Sequence, residues 1–219
     1  MAYQHTIEGQ VSALPLGKVV CVGRNYADHA KELNNPVPTS PILFIKPATA
    51  VVPLSGEITI PKDQGECHHE LEMSVLITQP LSKATEEQVK EAIGGFGLGL
   101  DLTLRDLQSK LKEKSHPWEI AKSFDGACPL SEFIAPEKIT DPENVDLQLS
   151  INGSVRQQGN TGDMITPVFK LIAYMSQYFT LQPGDVVLTG TPAGVSALKQ
   201  GDALLLALAD QLRVEARVC

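Results

Sequence analysis

The sequence predicts a strand-rich α+β fold. Short apolar runs are set between Gly- and Pro-bearing turns along most of the chain, helix signals are few, and the order is strands, then helices, then strands rather than repeated βαβ units. Taken in order, Val19 to Gly23 reads as a short apolar strand, Tyr26 to Leu33 as a helical stretch and Asn34 to Pro41 as a Pro-rich loop. Ile42 to Lys46 is a strand stopped by Pro47, and Ile58 to Ile60 another. Glu70 to Thr78 alternates, with Leu71, Met73, Val75 and Ile77 on one face. Thr85 and Gln88 form a capping box ahead of Val89 and Ile93. Leu104, Leu107 and Leu111 make the apolar stripe of a second helix, limited by Pro117. A third helix, capped by Asp163, carries Ile165, Val168, Leu171, Ile172 and Met175, with Pro167 in its first turn. Pro183-Gly184-Asp185 and Gln200-Gly201-Asp202 are turns that launch the strands Val186 to Leu188 and Ala203 to Leu208.

Composition narrows the function. The 219 residues suit a single domain spanning 1–219 with a sizeable core. A formal charge of −8 argues against nucleic acid and anionic membranes as partners. The longest apolar run, Ala203 to Ala209, is too short to span a bilayer, and Met1 to Gln10 lacks the pattern of a signal peptide. The expectation is a cytoplasmic protein. Cys21, Cys67, Cys128 and Cys219 are widely spaced with no CxxC pair, which fits reduced thiols and excludes a thiolate zinc site.

The chemistry-bearing residues begin at Cys67-His68-His69-Glu70-Leu71-Glu72. On a strand, Glu70 and Glu72 share a face opposite the apolar set. By itself such a pair suits the solvated face of an edge strand; buried, the two carboxylates repel and call for a hard cation. In Gly97-Leu98-Gly99-Leu100-Asp101-Leu102-Thr103-Leu104 the even positions are Leu, and the other face is bare backbone bearing Asp101. Glycines in a strand mark close approach by another backbone or a ligand. Three carboxylates without a thiolate suit Mg²⁺ or Mn²⁺. Gly95-Phe96-Gly97-Leu98-Gly99 fails as a dinucleotide motif, because its sixth position is Leu100 and it leads from helix into strand. His29 and Glu32, three apart on a helical stretch, form either a general-base pair or an ordinary surface pair.

Together these residues resemble the fumarylacetoacetate hydrolase family. The resemblance rests on Val22-Gly23-Arg24-Asn25-Tyr26, Phe44-Ile45-Lys46-Pro47, His68 to Glu72, Asp101 to Gln108, Pro117-Trp118 with Ala121 to Asp125, and Pro183 to Pro192. The length is similar to that of short members, which include acylpyruvate hydrolases and oxaloacetate decarboxylases. The resemblance implies a mixed β-sandwich roll, usually a homodimer, in which Glu70, Glu72 and Asp101 bind Mg²⁺ or Mn²⁺. It implies that His29 and Glu32 activate water on a segment closing over the site, and that Arg24, Gln108, Lys122 and Thr191 line the substrate pocket. The residues around Asn34 to Thr39 are where short members differ. The implied activity is hydrolysis of the C–C bond of acylpyruvate-type 2,4-dioxo acids such as fumarylpyruvate, through a cation-stabilised pyruvate enolate, with Lys122 and Arg24 offsetting substrate charge. Oxaloacetate decarboxylation needs the same enolate and no attacking water. Alternative readings are an isomerase or decarboxylase of aromatic catabolism, an iron site using His68, Glu70 and another His, and a metal-stabilised binding protein without activity.

Overall fold

The computed structural model describes residues 3–32 and 36–219. A nine-stranded mixed sheet runs in the order Gln10–Val11, Thr6–Ile7, Cys128–Ile134, Ile93–Leu100, Leu71–Ile77, Val186–Leu188, Val19–Gly23 and Ile42–Lys46, with Val51–Pro53 also paired to Cys128–Ile134. A five-stranded sheet is ordered Ser154–Asn160, Asp146–Ile151, Ala203–Leu208, Leu212–Val218 and Gly56–Ile58. Thr103–Leu104, Cys67–His69 and Ser196–Ala197 form a three-stranded sheet. The helices are α1 (Ala27–Glu32), α2 (Glu86–Ala92), α3 (Arg105–Glu113), α4 (Glu119–Lys122) and α5 (Val168–Tyr178). None is long and apolar enough to cross a membrane.

The large sheet is buried on both faces. Leu71, Met73, Leu98 and Leu100 pack with Leu147, Leu149, Leu204 and Leu206 of the five-stranded sheet. On its other side Val19, Cys21, Leu76, Leu130, Phe133, Val186 and Leu188 form a second core. Every residue of Leu71–Ile77 is therefore buried, and this strand lies between Ile93–Leu100 and Val186–Leu188 rather than at an edge. The reading of Glu70 and Glu72 as a solvated outer face is overturned by that second layer.

Most of the predicted elements are present, with local corrections. The α2 capping box forms as expected, Thr85 N–H donating to Gln88 Oε1 at 2.9 Å and Gln88 N–H to Thr85 Oγ1 at 3.4 Å. Asp163 does not cap α5: it sits in a 3₁₀ turn, followed by extended Met164 and a bend at Ile165 and Thr166 before Pro167, which occupies the N-cap position. A residue before proline is driven out of the helical region, so the start is set by Pro167 and not by the carboxylate. The strand expected at Ile58–Ile60 lies instead at Gly56–Ile58, where it pairs with Ala216–Val218. Leu104 is the N-cap of α3 and the end of a strand rather than a helical residue. Cys21, Cys67 and Cys128 are buried free thiols, and Cys219 is also free. The helical stretch expected to reach Leu33 and the loop from Asn34 extend into residues 33–35, outside the described residues.

The glycines of Ile93–Leu100 have a packing reason. Their neighbour Cys128–Ile134 bulges between Leu130 and Phe133, which drives its backbone toward them. A Cβ on Gly97 would stand 2.8 Å from both Glu132 O and Ser131 Oγ, and one on Gly99 would stand 2.7 Å from a methyl of Leu188. The bare face thus accommodates a strand bulge and a leucine, not a ligand. Overpacking of this kind costs about 1–3 kcal/mol. Gly97→Val is expected to lower unfolding free energy in urea by about that amount or more, whereas a change within 0.5 kcal/mol, the usual range for neutral surface substitutions, would show that the bulge yields freely.

Candidate metal centre and active site

The site is assembled where strands end. Glu70 lies in the one-residue break between Cys67–His69 and Leu71–Ile77, and Glu72 two residues on points to the same side. Asp101 follows immediately after Ile93–Leu100, a step beyond the strand that the Gly/Leu alternation predicted. Antiparallel pairing sets Leu71 opposite Leu100 and Glu72 opposite Gly99, and Asp101 N–H donates to Glu70 O at 2.9 Å. Two sequence-distant segments are thereby locked in register. The three carboxylates are 5%, 1% and 1% exposed, and one oxygen from each lies within 4.8 Å of the others.

Three cations answer them. Lys122, at the end of α4, donates to Glu70 Oε2 at 2.8 Å and to Asp101 Oδ2 at 2.6 Å. Arg105, the first residue of α3, pairs with Glu70 Oε1. Lys46, wholly buried at the end of Ile42–Lys46, lies 2.8 Å from Asp101 Oδ1 and also donates to Lys122 O. Neither Lys46 nor Arg105 is among the candidate site residues expected from sequence. Lys46 was detectable as a lysine sharing a strand face with buried Phe44, and Arg105 as the residue one helical turn before Gln108.

Electrostatics distinguishes the carboxylates. Burial pushes the Glu70 carboxyl upward, but Lys122, Arg105 and His29 outweigh it and hold it well below the ordinary value. Burial raises Glu72 well above that value, and Asp101 and Glu70 add to the effect; its hydrogen bond from Gly190 N–H at 2.6 Å offsets only part. Burial opposes the charge on Lys122, yet Asp101 and Glu70 raise its pKa. Glu72 thus needs a proton or a cation. Asp101 Oδ1, close to Lys46 but outside hydrogen-bond geometry, makes no hydrogen bond among the described residues. An all-oxygen donor set with an orphaned carboxylate oxygen fits a hard divalent ion such as Mg²⁺ or Mn²⁺.

Of the other residues singled out in the sequence, Arg24, His29, Gln108 and Thr191 line one cleft together with Glu70, Glu72 and Lys122. Arg24 has φ 61°, a strained conformation for a non-glycine residue. Its neighbour Asn25 holds the turn, donating to Thr166 O and Thr189 O and accepting from Thr166 N–H. Gln108 Oε1 accepts from Arg105 Nη1 at 2.8 Å; an arginine only donates, so the amide oxygen must face it and the NH₂ is turned away. Thr191 Oγ1 accepts from buried Gln157 Nε2 at 2.8 Å and donates to Pro192 O over a long 3.5 Å contact, a weak bond that a substrate oxygen could replace.

His29 is buried, and burial lowers its pKa, Glu70 opposing only in part. Its Nδ1 lies 3.4 Å from Glu32 Oε2, a long contact. Glu32 does not line the cleft; its carboxylate accepts Gly194 N–H at 3.0 and 3.2 Å, tying α1 to that turn. The iron-triad alternative fails on position. His68 Nε2 meets Glu66, and His69 is held by Gln157 and Ser196, while Glu70, Glu72 and Asp101 are the cluster of metal-ligating type found among the described residues.

Several known proteins are similar to this chain. The chain is 55% identical over 205 residues to the oxaloacetate tautomerase YcgM of Escherichia coli, covering 93% of this chain and 94% of that protein. Its fold matches a fumarylacetoacetate hydrolase family protein from Yersinia pestis with TM-score 0.97 and 50% identity, over 99% and 100% of the two chains. It also matches the fumarylpyruvate hydrolase of Pseudomonas aeruginosa, solved with Mn²⁺ and pyruvate, with TM-score 0.92 and 36% identity over 99% and 95%. The profile of the fumarylacetoacetate (FAA) hydrolase C-terminal family covers residues 18–219, which include every cleft residue described above and all but the two N-terminal strands of the sheets: the chain belongs to that family.

Proposed function

We propose that this protein is a divalent-cation-dependent enzyme of small 2-oxo acids, and that keto–enol tautomerisation of oxaloacetate is the reaction its site supports best. The observation that carries this reading is the buried Glu70, Glu72 and Asp101 cage, with its oxygens within 4.8 Å, opening on a cleft with cationic and amide donors. The tautomerase relative and the solved neighbour holding Mn²⁺ and pyruvate support it.

Glu70, Glu72 and Asp101 would hold Mg²⁺ or Mn²⁺. Such an ion supplies Lewis acidity toward the 2-oxo group and its neighbouring carboxylate, easing formation of the enolate. Lys122 holds Glu70 and Asp101 in place and helps keep Glu70 ionised. Contact with Glu32 orients Nδ1 of His29 and leaves Nε2 as the basic nitrogen. Burial keeps that imidazole neutral, so it can take the proton from C3 of the substrate, and return of that proton from the imidazolium to the enolate oxygen, directly or through solvent, completes the enol and restores the base. The Gln108 amide and Thr191 hydroxyl can donate to substrate oxygens, and Arg24 can offset substrate charge.

A second reading, hydrolysis of acylpyruvates, rests on the same His29–Glu32 pair: neutral His29 would deprotonate water for attack on the C4 carbonyl, with the C3–C4 bond breaking to the pyruvate enolate. Decarboxylation of oxaloacetate needs the enolate alone. His29→Ala is therefore expected to lower kcat/KM for tautomerisation and acylpyruvate hydrolysis by roughly 10²–10⁴, the range of general-base catalysis, and to spare decarboxylation. Equal loss of all three, measured with Mg²⁺ present, would make His29 structural.

The pH profile follows from the sign of the shift. Burial places the folded pKa of His29 below 6.5, so the base stays deprotonated as pH falls through 6.5. The acid limb of kcat/KM is expected below pH 6.5 and absent from the residual activity of His29→Ala. A limb above 6.5 would assign the base to another group.

The cation makes its own prediction. Exhaustive chelation is expected to abolish turnover and Mg²⁺ or Mn²⁺ to restore it; full activity after chelation would refute the reading. At 100-fold excess over Kd a ligand adds about 2.7 kcal/mol, or roughly 5–10 °C in Tm for a chain of this size. Without the cation, Glu72 holds a proton that the unfolded chain has released, so its contribution falls as pH rises above the ordinary carboxylate range. Glu72→Gln removes that burden. The variant is expected to gain Tm near pH 7 in chelator and to lose the cation-induced rise, as scanning calorimetry can check.

A further inference from the structure

We propose that Lys112 sets substrate specificity in this site: its ammonium, together with the Arg24 guanidinium, receives the carboxylate at the end of a 2-oxo diacid remote from the carboxylate cage. The inference deepens the tautomerase reading and rests on it for the identity of the bound acid.

The placement comes from helix geometry. Arg105, Gln108 and Lys112 stand at i, i+3 and i+7 of α3 and so share one face. The first pairs with Glu70 of the cage, the second is oriented by the first, and the third lines the same cleft one turn further on. Helical side chains lean toward the N-terminus, which brings the Lys112 ammonium back over Gln108. There it stands 5.4 Å from the centre of the Trp118 ring, another cleft residue.

What distinguishes Lys112 from its neighbours is its lack of an acid. Lys46 has Asp101, Lys122 has Glu70 and Asp101, and Arg105 has Glu70. Among the described residues neither Lys112 nor Arg24 has a carboxylate partner or donates a side-chain hydrogen bond, and residues 1, 2 and 33–35 include no Asp or Glu. An exposed lysine needs no partner, but this one is half-buried in a cleft it shares with three other cations. Burial and then Arg24, Arg105 and Lys122 push its pKa down to about 8, with Glu70 opposing only in part, the mark of positive charges gathered in excess. Formal charge agrees. Glu70, Glu72 and Asp101 balance Lys46, Lys122 and Arg105, so a divalent ion leaves the cage at +2, and Arg24 and Lys112 add to it. A monoanionic 2-oxo acid would leave much of that unanswered; a second carboxylate on the substrate answers it where the unpaired cations stand.

The test compares L-malate with L-lactate, two unreactive 2-hydroxy acids that differ in the remote carboxylate, binding to the full-length Mg²⁺-loaded protein by titration calorimetry. Wild type is expected to prefer malate at least tenfold. Lys112→Met, with Lys112→Gln as a second variant should the first fold poorly, is expected to cut that preference at least tenfold, and Lys112→Arg to keep most of it. A preference that survives in Lys112→Met or Lys112→Gln overturns the inference, as does a wild type without one. Binding needs no turnover, so the two readings fail separately. A protein that does not tautomerise oxaloacetate yet keeps a Lys112-dependent preference removes the proposed reaction alone, and an active enzyme whose preference ignores Lys112 removes the assignment of Lys112 alone.

Discussion

Lys122 reaches from α4 into a space between Glu70 and Asp101, and the functional end of the molecule is organised by that contact. Withdrawing an ion from water costs several kcal/mol even after relaxation. Here three carboxylates are withdrawn together, with Lys46 and Lys122 beside them and fully or nearly fully buried. The cluster is tolerable only because signs alternate at contact distance, and its most strained member is Glu72, which has a single backbone N–H where Glu70 has Lys122 and Arg105. The cage is formally balanced as a whole, but Glu72 lacks a cation at contact distance, and a divalent ion held there would supply one. Stability and function are coupled at Glu72: the group that most burdens the cation-free fold is one the loaded site would use.

The scaffold holds these charges through backbone pairing rather than through long flexible side chains. Leu71–Ile77 and Ile93–Leu100 are paired along their whole length, and the bulge in Cys128–Ile134 is accommodated by glycines where any side chain would collide. A slip of one residue would turn Glu72 into the leucine core and Met73 into the cage. Two packed layers make that slip costly, since Leu71, Met73, Leu98 and Leu100 are all fully buried against the second sheet.

Much of this was legible in the chain because it is local. Alternation in Leu71–Ile77 identified the strand and the shared face of Glu70 and Glu72, and the Thr85–Gln88 box identified the start of α2. The Gly/Leu pattern led to Asp101, though for another reason: the glycines admit the Ser131–Glu132 bulge, and Asp101 stands beyond the strand end. What stayed hidden depends on partners far away in sequence. Whether the Glu70–Glu72 face is wet or dry is decided by the second core layer, and Lys46 gains its meaning from Asp101, 55 residues on. Asp163 shows the opposite failure, a sound local cap signal overridden by Pro167 four residues later.

The same enolate underlies tautomerisation, decarboxylation and C–C hydrolysis, so the carboxylate cage alone does not choose among them. The choice falls to groups around it, and they differ in how firmly they are held. Gln108 and Thr191 are each fixed by a buried or ion-paired neighbour, and in the proposed role they would serve any 2-oxo acid alike. His29 rides on the six-residue α1, tethered through Glu32 to Gly194 N–H. That turn is itself constrained, because a Cβ on Gly194 would meet Arg156 O at 2.0 Å. Proton transfer at C3 asks only that His29 reach the substrate, whereas hydrolysis also asks for a positioned water between them. A base on a short, partly exposed tether with a 3.4 Å contact to its orienting carboxylate meets the first demand more readily than the second. On this ground proton transfer would be the more economical use of the proposed site, and hydrolysis would require α1 to close more tightly than the observed contact.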